Sequence, residues 1–88
     1  ALGGAVVVVL RATGDAPILK QSKFKVPKAE RFAFVLDFLR RHLKRDSVFA
    51  YLQQSFVPRL DERLGALHAL FATDNKLVIN YSTTPAWG

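Results

Sequence analysis

The stretch AVVVVLRATGDAPILKQSKFKV, residues 5–26, places two apolar segments on either side of a turn. The first segment, residues 5–12, is rich in valine, a β-branched residue that favours strands. The intervening TGDAP, residues 13–17, holds Gly, Asp and Pro in positions typical of a tight turn. In the second segment, residues 18–26, apolar residues alternate with lysines near the end, as in a half-buried strand. The chain is therefore predicted to open with a β-hairpin.

A helix is predicted from about Lys28 to Lys44, directly after this hairpin. Pro27 fits the first position of a helix, because its missing N–H is one that the first turn leaves unpaired. Phe34 lies opposite the apolar stripe of this helix, and the pattern gives it no role. The stripe consists of Phe32, Val35, Leu36, Leu39 and Leu43.

The rest of the chain predicts a short strand at Val48–Gln53, a short helix within residues 62–71 and a last strand at Lys76–Tyr81. This order of strands and helices indicates an α+β fold of the β-grasp, or ubiquitin-like, type. Its mixed sheet would place the first and last strands side by side, with the main helix on one face. The ferredoxin-like fold ranks second, because it needs two long helices. We expect one domain at residues 1–81 and an extended tail at residues 82–88.

Composition limits the function classes. With 88 residues the chain has room for a single domain, and it contains no cysteine for disulfides, thiolate metal sites or nucleophiles. No apolar run approaches the roughly 20 residues that span a bilayer, and no charged leader precedes the first strand, so a cytoplasmic location is expected. The net charge of +6 favours acidic partners and keeps nucleic acid and anionic membranes under consideration.

Residues for catalysis are scarce. His42 and His68 stand apart from any carboxylate pair, and each is read as a surface or boundary residue rather than a base or ligand. We expect no catalytic residues, no metal and no cofactor, and hence a protein that is not an enzyme.

The tail STTPAWG, residues 82–88, has neither strand alternation nor helical period. Pro85 biases Thr84 away from helical angles, and seven extended residues reach roughly 23 Å. A terminal glycine lacks a Cβ and can pass through a narrow channel, so its carboxylate can be adenylated, passed to a thiol and transferred to a lysine. From the tail alone, a reactive glycine and an arbitrary end of the chain are equally good interpretations.

Four segments carry a resemblance that covers nearly the whole chain: VVVVLRATGDAPILKQSKFKV, VLDFLRRHLK, FAYLQQSFVP and NKLVINYSTTPAWG. Together they look like the autophagy-related protein twelve family, the ubiquitin-like modifier of autophagy, and especially its plant-type members. The combination of GDAPILK in the first turn, QSFVP after the third strand, and a terminal AWG makes the match specific.

The resemblance implies a modifier that an activating enzyme loads with ATP and a conjugating enzyme carries. Gly88 would be joined by an isopeptide bond to a lysine of autophagy-related protein five. The conjugate, with autophagy-related protein sixteen, would promote attachment of autophagy-related protein eight to phosphatidylethanolamine. The protein would reach forming autophagosome membranes only through its partners.

The same resemblance suggests residue roles. Gly88 matches the donor glycine and Trp87 its tryptophan neighbour, which would help recognise the tail. Lys23 and Phe24 match a basic and aromatic surface that binds an acidic segment of the lipid-conjugating enzyme, although some members have tryptophan at the aromatic position. Phe56, with Tyr51 near it in sequence, matches a partner-facing patch. For Phe24, Tyr51 and Phe56 a simple core role is an equally good reading.

Two other function classes stay open on the residues. A ubiquitin-like interaction domain that is never conjugated would require the natural protein to continue past Gly88. A small nucleic-acid-binding domain is suggested by the charge of +6. It ranks last, because the chain has no recognisable binding motif and no aromatic residues grouped on a basic sheet face.

Overall fold

The computed structural model describes residues 3–85. Its strands and helices follow the predicted order. Their bounds are β1 (Ala5–Ala12), β2 (Lys23–Pro27), α1 (Phe32–Leu43), β3 (Phe49–Tyr51), α2 (Leu64–Phe71) and β4 (Lys76–Ser82).

The strands form one mixed sheet in the order β2-β1-β4-β3. β1 and β4 run parallel at its centre, with Val8 opposite Leu77, and β2 and β3 pair antiparallel on the two sides. Parallel neighbours need a long crossover, and α1 lies within it. This is the predicted β-grasp arrangement. The ferredoxin-like alternative is wrong, because α2 is only 8 residues long.

The core lies between the sheet and α1. Alternate residues of the two central strands face the helix, and Leu39, Leu77 and Ile79 are 0% exposed. The apolar stripe predicted for α1 is confirmed, with Leu43 only partly buried at its end. Burial of this kind contributes about 25 cal/mol per Å² of apolar surface removed from water.

The predicted start of α1 is wrong. Pro27 is the last residue of β2, and the helix begins at Phe32. The amides of Phe32 and Ala33 donate to the carbonyl oxygens of Glu62 and Leu60, at 2.8 and 3.0 Å. These partners lie far along the chain, and no local pattern reveals them. Pro27 is tolerated where it stands, because β2 is an edge strand that can end without an N–H donor.

The helix α2 begins with reciprocal contacts. The amides of Leu64 and Gly65 donate to the carbonyl oxygens of Glu30 and Lys28, at 2.8 and 3.0 Å. Neither helix has a side-chain cap at its first turn. The free N–H groups at the start of each helix are therefore paired with carbonyl oxygens of the segment that leads into the other helix. These hydrogen bonds hold the segments before α1 and before α2 together.

Two strands are shorter than predicted. Residues 18–22 do not join β2, because the buried Tyr81 hydroxyl donates to the Pro17 carbonyl oxygen at 2.7 Å and accepts from the Leu19 N–H at 3.3 Å. β3 ends at Tyr51, since Leu52 instead exchanges two main-chain hydrogen bonds with Phe56, at 2.7 and 3.0 Å. In each case a hydrogen bond from outside the strand pattern ends the ladder.

Candidate functional site

Phe24 lies on the helix side of the edge strand β2. Its ring meets the ring of Phe38 edge-on, with centroids 5.0 Å apart and planes at 73°. Phe24 remains partly exposed while it packs against the core. Phe24 is therefore half-buried: one part of its ring packs against the core, and another part is exposed at the surface.

A pocket of about 150 Å³ opens beside this aromatic pair, between β2 and α1. Phe34, which the helical pattern left without a role, stands at its rim and is 38% exposed. The spacing of Phe34 and Phe38, four residues apart on a helix, was the available signal. It points to this pocket only once β2 is known to lie alongside. The pocket is lined by Val8, Leu10, Phe24, Lys25, Val26, Pro27, Phe34, Val35 and Phe38.

A second depression continues from the first toward the loop after β1. Phe24 and Phe38 belong to both, and the His42 ring stacks on Phe38 with centroids 4.0 Å apart. Ile18 lies on its far side with 85% of its surface exposed. The two depressions therefore form one apolar groove along β2, which we call the β2 groove. The second depression is lined by Pro17, Ile18, Leu19, Lys20, Gln21, Phe24, Phe38, His42 and Leu43.

Lys23 and Phe24 point to opposite faces of the sheet. Phe24 pairs with the buried Val8, whereas Lys23 pairs with Val9 on the face away from α1, where Lys25 also lies. β2 is the outer strand of the sheet, so no other strand among residues 3–85 covers its free edge. A ligand that contacts both Lys23 and Phe24 must run along that edge.

Tyr51 is 8% exposed, and its hydroxyl donates to the Thr13 Oγ1 at 3.0 Å. Thr13 in turn donates from its hydroxyl to the Tyr81 carbonyl oxygen at 3.1 Å. The structure thus places Tyr51 inside the fold, tying the end of β1 to β3. Its nearness to Phe56 in sequence does not become a shared surface.

Phe56 is 47% exposed. Its ring lies 5.2 Å from the ring of Phe71, the last residue of α2, with the planes 30° apart. Phe71 falls within the short helix predicted at residues 62–71, and nothing in the sequence pattern indicated its pairing with Phe56. Val57 and Leu70, beside them in sequence, are also exposed, so the apolar surface here has contributions from the loop and from α2.

The predicted tail begins inside the sheet. Ser82, its first residue, is the last of β4 and is buried. Trp87 and Gly88 lie outside the described residues, so their predicted roles stay predictions. What the structure describes is how the chain leaves the sheet, at Ser82 to Pro85.

The remaining polar groups have ordinary surroundings. His68 lies 3.0 Å from the Asn75 carbonyl oxygen through Nε2, and His42 lies 3.0 Å from the Phe38 carbonyl oxygen through Nδ1. Between residues 3 and 85, no group of histidine, aspartate or glutamate side chains could hold a metal ion. In that same part of the chain, no helix is long and apolar enough to cross a bilayer.

Two solved structures share this arrangement of strands and helices. The crystal structure of Trypanosoma brucei ATG8 superposes with a TM-score of 0.78 over 89% of this chain and 72% of that one, at 17% identity. Plasmodium falciparum Atg8, solved in complex with an Atg3 peptide, gives a TM-score of 0.81 over 92% of this chain and 77% of that one, also at 17% identity. The fold is therefore that of a ubiquitin-like protein.

Sequence comparison narrows the class to a family. The model of the family described as "Ubiquitin-like autophagy protein Apg12" matches residues 5–88. Ubiquitin-like protein ATG12 of Medicago truncatula is 57% identical over 94% of this chain and 87% of its own length. The rice protein of the same name is 48% identical over 94% and 89%, and that of Cryptococcus neoformans 42% identical over 96% and 83%. The chain belongs to the Apg12 family of ubiquitin-like autophagy proteins, as its resemblance indicated.

Proposed function

We propose that this protein is a modifier that becomes covalently attached, through the carboxylate of Gly88, to a lysine of autophagy-related protein five. The observation that carries the proposal is a family match that extends to residue 88 and so includes Gly88. The chain acts as the substrate of a conjugation cascade, and the catalytic thiols belong to its partner enzymes.

The chemistry follows from a carboxylate that must become an acylating group. The Gly88 carboxylate attacks the α-phosphorus of ATP, forming an acyl adenylate and releasing pyrophosphate. A thiol of the activating enzyme displaces AMP, and a thiol of the conjugating enzyme then takes over the acyl group. Finally the target lysine amine attacks the thioester, forming the isopeptide bond and releasing the thiol.

Residue 88 suits this route because glycine has no Cβ, so the reacting carboxylate can enter a narrow channel. Trp87, directly before it, offers a large apolar ring by which an enzyme can hold the tail. The body of the domain supplies no reacting group. Its contribution is to fix where the tail starts and to present surfaces to partners.

The β2 groove is the proposed docking site for an extended acidic segment of the lipid-conjugating enzyme. Lys23 and Lys25 lie on one side of the strand and the Phe24 pocket on the other. A segment that adds to the free edge of β2 gains main-chain hydrogen bonds, puts carboxylates near the lysines and puts an apolar side chain into the pocket. Plasmodium falciparum Atg8, which shares this fold, was solved in complex with an Atg3 peptide, so a protein of this fold can bind a peptide of that kind.

Phe56 remains the second proposed contact, now together with Phe71. We assign Tyr51 a positioning role there, since its buried hydroxyl holds β3, from which the Phe56 loop emerges. The conjugate, joined by autophagy-related protein sixteen, would bring the conjugating enzyme to forming autophagosome membranes. There it would promote lipidation of autophagy-related protein eight. The protein itself would be cytoplasmic, would contact membranes only through partners and would not bind nucleic acid.

Reconstitution tests this proposal. The chain of residues 1–88 is incubated with ATP, the activating and conjugating enzymes and autophagy-related protein five, and the target should gain about the 9.8 kDa of this chain. Deleting Gly88 should abolish the adduct while leaving thermal unfolding unchanged. Gly3→Ala is the matched control, because a Cβ at Gly3 would meet nothing within 4 Å. An adduct that survives the deletion would refute conjugation through Gly88. Partner binding without any adduct would favour a non-conjugated interaction domain.

A further inference from the structure

The exit of the chain from β4 is built around one buried hydroxyl. Ser82 accepts a hydrogen bond from the Thr84 N–H at 3.0 Å and donates its own hydrogen to the Thr84 carbonyl oxygen at 2.6 Å. The two hydroxyl oxygens of Ser82 and Thr84 lie 3.3 Å apart. Because the Ser82 hydrogen is used by the carbonyl, the Thr84 hydroxyl is the donor in that third contact.

Thr84 is nevertheless exposed, whereas Ser82 is buried, with 5% of its surface exposed, and Thr83 is half-buried. Among residues 3–85, the one contact of the Thr84 hydroxyl, with Ser82, is long for a hydrogen bond between two hydroxyls. Little free energy is therefore lost when the Thr84 hydroxyl turns toward solvent. Pro85 follows and disfavours helical angles at Thr84, so this segment is biased toward the extended conformation in which protein kinases bind a substrate. Pro85 also has no backbone N–H. A kinase that binds this segment must therefore have no hydrogen-bond acceptor waiting for an N–H at the position after the phosphorylated residue.

We propose that Thr84 is a phosphate acceptor for a proline-directed serine/threonine kinase, and that its phosphate opposes loading of the tail. In the transfer, the Thr84 Oγ1 attacks the γ-phosphorus of ATP, the bond to the ADP oxygen breaks, and the hydroxyl proton passes to the base of the kinase. No other exposed hydroxyl among residues 3–85 precedes a proline. The assignment therefore singles out one residue.

The effect on loading follows from charge and hydrogen bonding. The phosphate adds about −1.5 to −2 charges four residues before Gly88. It also removes the Thr84 donor to Ser82 and offers new acceptors to the Ser82 hydroxyl, so the turn at the strand exit is remade. A doubly charged group at the base of the tail must be desolvated wherever an activating enzyme encloses that segment. This second half of the inference rests on the proposed function.

Mass spectrometry tests the first half without any conjugation enzyme. The full-length protein, a purified proline-directed kinase and ATP should yield a single phosphate, mapped to Thr84. Thr84→Ala and Pro85→Ala should each abolish it, while Thr83→Ala, which changes the neighbouring threonine that no proline follows, should not. Phosphate placed on another residue, no phosphate at all, or labelling that survives Pro85→Ala would overturn the assignment.

The second half is tested by thioester formation with the activating enzyme. The phosphorylated protein and Thr84→Glu should each load at least about tenfold more slowly than their uncharged counterparts, the unmodified protein and Thr84→Gln respectively. Equal loading of all forms would overturn the regulatory role while leaving the phosphate site standing. If the unmodified protein fails to load, conjugation itself fails and the regulatory role falls with it. The mapping experiment still decides whether Thr84 is an acceptor.

Discussion

The hydroxyl of Tyr81 donates to the carbonyl oxygen of Pro17 at 2.7 Å, joining the last strand to the loop after the first. The same hydroxyl accepts from the Leu19 N–H at 3.3 Å, and Tyr81 is 1% exposed. One buried phenol thus holds the loop that forms the far wall of the β2 groove. The shape of a proposed binding site therefore depends on a residue of β4 that does not itself line the groove.

Tyr81→Phe should destabilise the fold by about 1 to 2 kcal/mol, because the Leu19 N–H and the Pro17 carbonyl lose a buried partner. Urea unfolding of the two proteins measures the difference. Tyr51→Phe, which removes a hydroxyl that donates only to Thr13, is the matched control and should cost less. An equal or larger loss of stability in Tyr51→Phe would show that the two hydrogen bonds of the Tyr81 hydroxyl stabilise the fold no more than the single one donated by Tyr51.

Stability should also depend on pH through Tyr81. Burial raises the pKa of Tyr81 above its usual 10.0, and the hydrogen bond from the Leu19 backbone opposes the rise only in part. The protonated phenol is thus favoured by folding, and this contribution is complete below pH 10 and is lost as the pH rises through the higher folded-state value. We expect the stability gap between the natural protein and Tyr81→Phe to narrow above pH 10. A gap that is constant to higher pH would contradict the raised pKa.

Gly65→Ala should destabilise the protein by about 1 to 3 kcal/mol, even though alanine is the better helix former. A Cβ at Gly65 would lie 2.9 Å from the Lys28 Cβ and 3.3 Å from the Lys28 carbonyl oxygen, which accepts the Gly65 N–H. Neither atom is the free end of a side chain, so the two helix starts must move apart. Thermal unfolding measures the effect, and Ala66→Gly on the exposed side of α2 provides the contrast. It should cost only the helix propensity, about 1 kcal/mol. A Gly65→Ala protein as stable as the natural one would mean that the segment around Lys28 can move away from α2 at little cost in free energy.

Phe34→Ala should weaken binding of the acidic segment to the β2 groove while changing the free energy of unfolding by less than about 0.5 kcal/mol. The reason is that Phe34 is exposed at the pocket rim and outside the buried cluster. Lys23→Glu should weaken binding more at low salt than at high salt, because an exposed charge is screened. Calorimetric titration with the segment as a synthetic peptide measures both.

Arg59→Glu makes the same change of charge at an exposed residue between β3 and α2, and Arg59 lines neither part of the groove. It is the control for Lys23→Glu and should bind the peptide normally. If the two charge reversals weaken binding alike, the peptide responds to net charge and the groove is not its site.

Phe56 and Phe71 should be coupled by about 0.5 to 1.5 kcal/mol, the range for aromatic pairs at this separation. A double-mutant cycle with alanine at each position, followed by urea unfolding, isolates this energy. The pair Phe56 and Leu70 offers a comparison in which no ring contact exists. Additive effects at Phe56 and Phe71 would mean that the rings stand side by side without stabilising each other.

Much of the architecture was readable from local pattern. Valine-rich and alternating segments predicted β1 and β4, and apolar residues at helical spacing predicted the buried side of α1 with Leu39 at its centre. These features depend on residues within one element, so a single sequence reports them. The helix start near Lys28 and the long second strand were wrong for the opposite reason. The groups that decide them, the Glu62 carbonyl and the Tyr81 hydroxyl, lie far along the chain.

The site divides in the same way. By itself the sequence determined the order of elements, the lack of cysteine among these 88 residues and the presence of glycine at position 88, because each is a property of residue identity and spacing. Only the tertiary structure decided that Lys23 and Phe24 face opposite ways along one free edge, that Phe34 completes a pocket and that Tyr51 is buried. Those facts depend on which strand lies beside which and on what covers each face. Such pairings form between distant segments, and no local pattern encodes them.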